Sequence, residues 1–426
     1  MASITQLDRR PFAGLADPTV LSGFLGEPPW LAQFRRQAAS WARQVLLPDR
    51  ARHLWRFSNP ELFLPQEDPS KVAPVAAPPS WQPEEDLAAA ALLAGAAVQV
   101  VDLSAEAQRA GVVVAPLAEV AAEPFLGTAV PPSHGFLEAL NSAVFRPAVA
   151  VVVPRRVRLE KPIRLRLVAG PWLFLPRILL VVQEGASVEV VEGHVGGGPG
   201  SLVLGVTEAF VGCGAELRYD VVQRWEGGVT GHLTSRVIME QDSRAQIALA
   251  SFGGSVTKVD TGAVLKGRGA EVETFGVALG TANQHFDHHT EHIHHAPQTR
   301  SNLDFKVALA GQARSVYTGL IRIEEQAATC EAYQENRNLL LSEEARAETI
   351  PELEILNEDV RCTHGATVAP LDEEQVFYLK SRGLPHHQAM RLIVYGFLDQ
   401  TLSRLPEKTR ERIEALVAGR LHGEVL

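Results

Sequence analysis

Cysteine, long apolar runs and a surplus of positive charge are all scarce in this sequence. Cys213, Cys330 and Cys362 are the only three cysteines in 426 residues. Their odd number and the lack of any CxxC spacing exclude a disulfide framework and a cysteine-rich zinc site, so a reducing compartment fits. The longest apolar run, Ala88 to Val98, is too short to span a bilayer, and the first fifteen residues hold no apolar leader core. The expectation is a cytoplasmic protein without membrane association. A net charge of -10 repels polyphosphates, so nucleic acid is not the expected partner. No GxSxG and no GxxxxGK[ST] occurs, which excludes the common acyl-hydrolase elbow and a P-loop ATPase. Gly196 to Gly200 reads as a loop between strands. With no dinucleotide fingerprint present, flavin binding stays unassigned.

What is present is 46% hydrophobic and 21% charged residues, the balance of a globular chain long enough for one very large unit or two to three smaller ones. Leu31, Phe34, Ala38, Trp41 and Val45 fall at helical spacing, with Arg35, Arg36, Gln37 and Arg43 largely opposite, which predicts an amphipathic helix. Seven prolines between Asn59 and Pro83 predict an extended connection. Residues 1–84 therefore read as a helical region with a Pro-rich connection, and 85–148 as a mixed α/β segment. From Val149 the period becomes two, with Val157, Leu159, Ile163, Leu165 and Leu167 alternating with arginines. A turn phrase recurs at Gly185-Ala186, Gly214-Ala215, Arg244-Ala245, Gly269-Ala270, Gln312-Ala313 and Glu344-Ala345. Its spacing favours a β-solenoid over 149–370, although a β-sandwich would also show regular turns. After Pro370 the helical period returns, and residues 371–426 are expected to form three short helices, with Gly383 ending the first and Pro385 and Pro406 opening the next two.

Two constellations have chemical potential. His285, His288, His289, His292, His294 and His295 crowd into eleven residues. On a strand, His288, His292 and His294 share one face while His285, His289 and His295 share the other, so at most three converge, on a metal or in a hydrogen-bonded surface. Cys362 and His364 stand two apart, about 6.6 Å on a strand, and both face one iron-sized object or the core. Val360 shares that face, and His364 is expected to be partly buried. Cys213 and Cys330 are expected to fill core. Asp260, Glu271 and Glu273 are the carboxylates that a lyase reading would recruit.

The stretches Cys362-Thr363-His364-Gly365-Ala366-Thr367-Val368, Leu371-Asp372-Glu373-Glu374 and Phe377-Tyr378-Leu379-Lys380-Ser381-Arg382-Gly383 resemble the SufB/SufD family of iron-sulfur cluster assembly proteins, and within it the SufD branch. The resemblance continues through His294-His295-Ala296-Pro297, Thr299-Arg300-Ser301, the run from Tyr333 to Ser342, Arg391-Leu392-Ile393 and Gly396-Phe397. It covers roughly residues 285 to 400, with a weaker likeness at Leu54-Trp55-Arg56. The SufB branch typically reads His-Glu-Ala-Thr where Gly365 here follows His364, and commonly carries a Cys-rich N-terminal segment that this chain lacks. The resemblance implies a right-handed parallel β-helix flanked by helical N- and C-terminal regions. It also implies a non-ATPase scaffold that contributes to iron acquisition and acts with SufB and the ATPase SufC. SufC would dock on the C-terminal helices, around Arg382, Gly383, Leu384, Ile393, Gly396, Phe397 and Leu398. SufB would pair through the β-helix end, while a homodimer of the isolated chain stays unassigned. His364, and less securely Cys362, would ligate a transient iron-sulfur cluster shared with SufB and completed by a SufB cysteine. The rival readings are a stand-alone β-helix polysaccharide lyase, a His-cluster metalloenzyme, and a purely structural partner.

Overall fold

The computed structural model describes residues 9–51, 53–70, 80–83 and 86–422. Part of the Pro-rich connection, residues 71–79 and 84–85, therefore lies outside the described residues. From Ile163 to Pro370, apart from the two-residue strand Leu173–Phe174, strands alternate between two sheets. Neighbours within a sheet are parallel and come from successive turns, which makes a β-solenoid of about eight turns. Sheet A runs from Ala97–Leu103 and Ala89–Ala94 to Val360–Pro370, and sheet B from Val113–Pro116 to Arg346–Ile355. The solenoid sheets thus begin inside the 85–148 segment, where Ala89–Ala94 pairs in parallel with Ile163–Ala169.

Alternation sets the core. Ile163, Leu165, Leu167, Val190, Val203, Leu217 and Leu303 point inward and are buried in one continuous cluster. At seven successive entries into sheet A a left-handed residue precedes a corner residue: Arg156, Gly185, Gly214, Asp242, Gly269, Gln298 and Thr329 all have positive φ. The corner residues Ala186, Ala215, Ser243, Ala270, Thr299 and Cys330 are all buried and recur every 27 to 31 residues. The Gly-Ala phrase is this corner at three turns. Between Gly214 and Gly269 the corner is Asp242-Ser243, two residues before Arg244-Ala245, and Ala313 and Ala345 belong to the opposite corner, which enters sheet B.

The first turn is plugged. Ala97–Leu103 and Val113–Pro116 close the sheets with antiparallel pairs, and Ala107 of the short helix Ala105–Arg109 packs into the end of the core. The N-terminal region covers the outer face of sheet B: α1 (Thr19–Leu25), α2 (Pro29–Gln44) and the helix Phe136–Val144 pack with Leu202 and Leu204. In α2 the expected faces are partly reversed. Trp41 is 55% exposed, whereas Arg35 is buried, bound by both oxygens of Glu27 at 2.6 and 2.7 Å and donating to the carbonyls of Ala143 and Phe145. Periodicity assigned Arg35 outward; a bidentate partner and two carbonyls make its burial tolerable. Trp55, in the Leu54-Trp55-Arg56 stretch, meets Phe63 and Phe136 edge-to-face and stacks on His232, and Lys258 donates to the Leu54 carbonyl at 2.8 Å.

The outer face of sheet A is covered by the C-terminal helices Glu373–Ser381, His386–Leu402 and Glu407–His422. Asp372 caps the first, and Gly383, at φ +91°, ends its turn. Val394, Leu398, Leu402, Ile413 and Val417 pack on Val222, Ala250, Phe275 and Val277. Buried Asp220 accepts from Thr409 at 2.6 Å, and buried Asp304 from Thr401 at 2.7 Å, fixing the register of two helices on the sheet. Among the described residues no helix is long and apolar enough to cross a membrane.

Candidate functional site: the open end of the solenoid

The last turn has no successor. Among the described residues Val360–Pro370 pairs only with Cys330–Leu340, and Arg346–Ile355 only with Arg314–Ile323, so each sheet ends there in a strand with one unpaired edge. Val360 and Cys362 turn inward and pack with Ile321, Ile323, Ala327, Cys330, Ala332 and Leu353. His364 continues the same inward face, as alternation predicts. It is nevertheless exposed, against the expected partial burial, because no further turn lies over it. Cys362 is half-buried, and burial pushes its thiol up to about 11. It is a thiol at neutral pH and becomes a ligand only if an incoming cation displaces its proton.

Beneath this face the interior changes character. The buried Leu303, Phe305 and Val307 are followed one strand on by Gln334, Asn336 and Asn338, and these by His364, Ala366 and Val368. Gln334 Nε2 donates to the Gly319 carbonyl at 3.0 Å, Asn336 Nδ2 to that of Phe305 at 3.3 Å, and Asn338 Nδ2 to Asn336 Oδ1 at 2.7 Å. This amide layer escaped the sequence reading, although its signal is plain: three polar residues at alternate positions of a strand that is otherwise buried.

The other cysteines divide. Cys330 is buried at its corner, 3.0 Å from Thr299 Oγ1, and fills core as expected. Cys213 is exposed in the turn Gly212-Cys213-Gly214, which corrects its expected burial: it occupies the corner loop, not the inward position that follows.

The histidine-rich strand His285–His294 splits by alternation. His288, His292 and His294 point inward to Ser251 at 2.9 Å, Thr274 at 3.0 Å and Ser301 at 2.9 Å. Burial pushes them down to about 4, 3 and 4, so they are neutral. On the outer face His285 meets Ser58 at 3.2 Å, and His289 meets Asp260 at 2.7 Å. Asp260 also accepts from Arg236 at 2.8 Å and meets His134 at 3.1 Å; despite burial, Arg236 and the two imidazoles hold its carboxyl well below the usual range. His295 lies exposed in the following turn. Among the described residues no group of three or more His, Cys, Asp or Glu side chains is placed to hold a metal ion. The carboxylates do not converge either: Asp260 lies outside sheet B, whereas Glu271 and Glu273 lie outside sheet A beside Arg300 and Arg404.

Of the residues expected to bind a partner, Arg382, Gly383 and Gly396 are exposed, and Leu384, Ile393 and Phe397 are partly buried. Leu398 is fully buried against sheet A and is no part of a free surface, because the helix turns that face inward. The apolar surface is carried instead by Phe377, Tyr378 and Leu392, which are 73%, 56% and 51% exposed.

Similarity to known proteins bears on the same region. The family described as "SUF system FeS cluster assembly, SufBD core domain" matches residues 168–397. The iron-sulfur cluster assembly protein SufB of Bacillus subtilis is 30% identical over 300 residues, covering 70% of this chain and 64% of the relative. A SufBD family protein of Staphylococcus saprophyticus is 29% identical over 305 residues, 71% and 66% of the two chains. A chloroplastic SufBD family protein of Arabidopsis thaliana is 29% identical over 313 residues, 71% and 56%. The chain spans somewhat less than two thirds of the length of these relatives. The matched residues take in all the later turns of the solenoid, its open end and most of the first two C-terminal helices, and this chain belongs to the SufBD family of iron-sulfur cluster assembly proteins.

Proposed function

We propose that this chain is a SufD-type scaffold subunit without ATPase activity, acting with SufB and the ATPase SufC to build an iron-sulfur cluster. The observation that carries the reading is the unclosed solenoid end, where Cys362 and His364 face inward beside two unpaired strand edges. Such edges accept strands from a partner through backbone hydrogen bonds, and SufB is the partner that the family supplies. With a single imidazole and a single protonated thiol, this end is half of a ligand set, completed by a SufB cysteine on the other side of the joint. Gly365 in place of the glutamate typical of SufB favours the SufD assignment.

SufC docks on the exposed side of the C-terminal helices, where Phe377, Tyr378 and Leu392 project. These helices start directly after the strand that carries His364, so a rigid-body shift driven by SufC reaches the cluster site over a short path. The cytoplasm, with its reduced thiols, is the compartment that suits this chemistry.

Co-expression with SufB and SufC, followed by affinity purification on this chain, tests the assignment. The three proteins are expected to elute together. Recovery of this chain alone or as a homodimer, with SufB and SufC absent, would contradict it.

A further inference from the structure

Gln334 is wholly buried, and its amide can be oriented without ambiguity. Its Nε2 lies 3.0 Å from the Gly319 carbonyl oxygen, so the nitrogen is the donor at that contact and Oε1 points away from it. The side chain is pinned in this pose. A Cβ at Gly319 would sit 2.6 Å from the Tyr317 hydroxyl and 2.7 Å from Gln334 Cδ, so only glycine leaves room for the amide between them. Tyr317 is itself held by Thr290 at 2.8 Å. Among the described residues Gln334 Oε1 is thereby left as a buried acceptor without a hydrogen-bond partner. A buried carbonyl of this kind is destabilising unless a donor reaches it.

The donor that the topology offers is His364. It is the register partner of Gln334 on the terminal strand, and the two side chains share the inward face. Same-face neighbours on adjacent strands stand close to 5 Å apart, roughly the strand spacing, within reach of one imidazole rotamer. The preceding residue in this column is Leu303, which has no side-chain acceptor, so Gln334 is the member of the column that brings one next to the histidine.

We propose that Gln334 is a positioning residue for His364: its Oε1 accepts one imidazole N–H, fixing the tautomer and presenting the other ring nitrogen, with its lone pair, at the open end of the solenoid. A histidine that ligates a metal through one nitrogen commonly donates from the other to a carbonyl or carboxylate, which sets both ring orientation and basicity. Here the acceptor belongs to the solenoid interior, so the ligand nitrogen is aimed outward before any partner arrives.

This inference rests on the reading of His364 as a ligand, but its test does not require a cluster. The isolated full chain, labelled with ¹⁵N-histidine, is examined by long-range ¹H–¹⁵N correlation at roughly pH 8.5, above the ordinary imidazole range, with His364→Ala assigning the signal. One tautomer of His364 is expected to be favoured roughly five- to tenfold over the ratio of exposed His386, as a single hydrogen bond provides. Gln334→Met, which keeps the length and removes the acceptor, is expected to return His364 to the His386 ratio. Gln334→Glu, which keeps an acceptor at the same length, is expected to retain the preference, an outcome that loss of packing alone does not produce. A wild-type His364 ratio within twofold of that of His386 overturns the proposal without recourse to any variant. An unchanged ratio in folded Gln334→Met overturns it as well. Loss of cluster loading in other experiments would leave these ratios untouched, so the two failures are distinguishable.

Discussion

The two ends of the solenoid are built from the same repeat and finished in opposite ways. At the first turn, antiparallel strands close both sheets and Ala107 plugs the core, while inward Ile163, Leu165 and Leu167 are at most 1% exposed. At the last turn nothing closes either sheet, amides replace leucine, phenylalanine and valine, and inward His364, Ala366 and Val368 are open to solvent. One end uses its inward positions for stability, and at the other they face solvent. In a stack where each turn buries its face only against the next, an uncapped end is normally finished by a polar layer or by a partner. Here the polar layer lies one turn below the end and the final turn stays open, which is the ground for the proposed partner joint.

Acid should expose the weakness of the half nearer the open end first. The folded-state pKa values of His288, His292 and His294, about 4, 3 and 4, lie below the ordinary 6.5, so the unfolded chain binds protons that the folded chain refuses. Their contribution is complete above pH 6.5 and is lost as pH falls toward 4. The slope is about 1.4 kcal/mol per pH unit for each histidine, or roughly 4 for the three. Denaturant titrations between about pH 7.5 and pH 5 should show this loss, and His292→Gln should remove about a third of the slope. A pH-independent stability across that range would place these imidazoles in contact with solvent.

The closed end should fail by a different route. Arg177 and Glu208 are both fully buried, 2.5 Å apart, and Glu208 also accepts from the backbone of Gly127, Ala129 and Val130. Arg177→Met leaves that carboxylate unpaired and is expected to cost about 3 to 5 kcal/mol, measured as a lowered denaturant midpoint. A change below about 1 kcal/mol would show that the backbone donors suffice.

Binding without stability should mark the C-terminal helices. Phe377→Asp alters a side chain that is 73% exposed and is expected to leave the unfolding midpoint in place. It should weaken SufC association by about 2 kcal/mol, roughly thirtyfold, in a direct titration. Equal loss of stability and binding would mean that Phe377 supports the helices instead of facing a partner.

How much of this was legible follows from where the information lies. Periodicity located the strands, the three C-terminal helices and the split of the histidines between two faces, because alternation is a local property. The corner phrase was legible where glycine supplies positive φ, as at Gly185 and Gly214, and illegible at Asp242, Gln298 and Thr329, which adopt the same conformation under the constraint of the stack. The inward face of His364 was read correctly, but its exposure was not, since a strand's sequence does not state that it is the last. Arg35 was placed outward because its charge marks a solvent face until the Ala143 and Phe145 carbonyls, distant in sequence, and Glu27 are seen to enclose it, and the Asp260 network was missed because His134 lies 126 residues before Asp260. Leu398 and Phe377 show the same limit on the helices: both are apolar, and only packing decides which one meets the sheet.

The central claim is that the unclosed end is a cluster-assembly surface, and iron and sulfide content tests it most directly. Wild-type chain and His364→Ala are each co-expressed with SufB and SufC, purified without oxygen and assayed for both elements. The variant is expected to fold and to form the same complex, because His364 is exposed, yet to retain severalfold less iron and sulfide. Wild-type iron and sulfide in an intact His364→Ala complex would contradict the account and leave the open end a purely architectural joint.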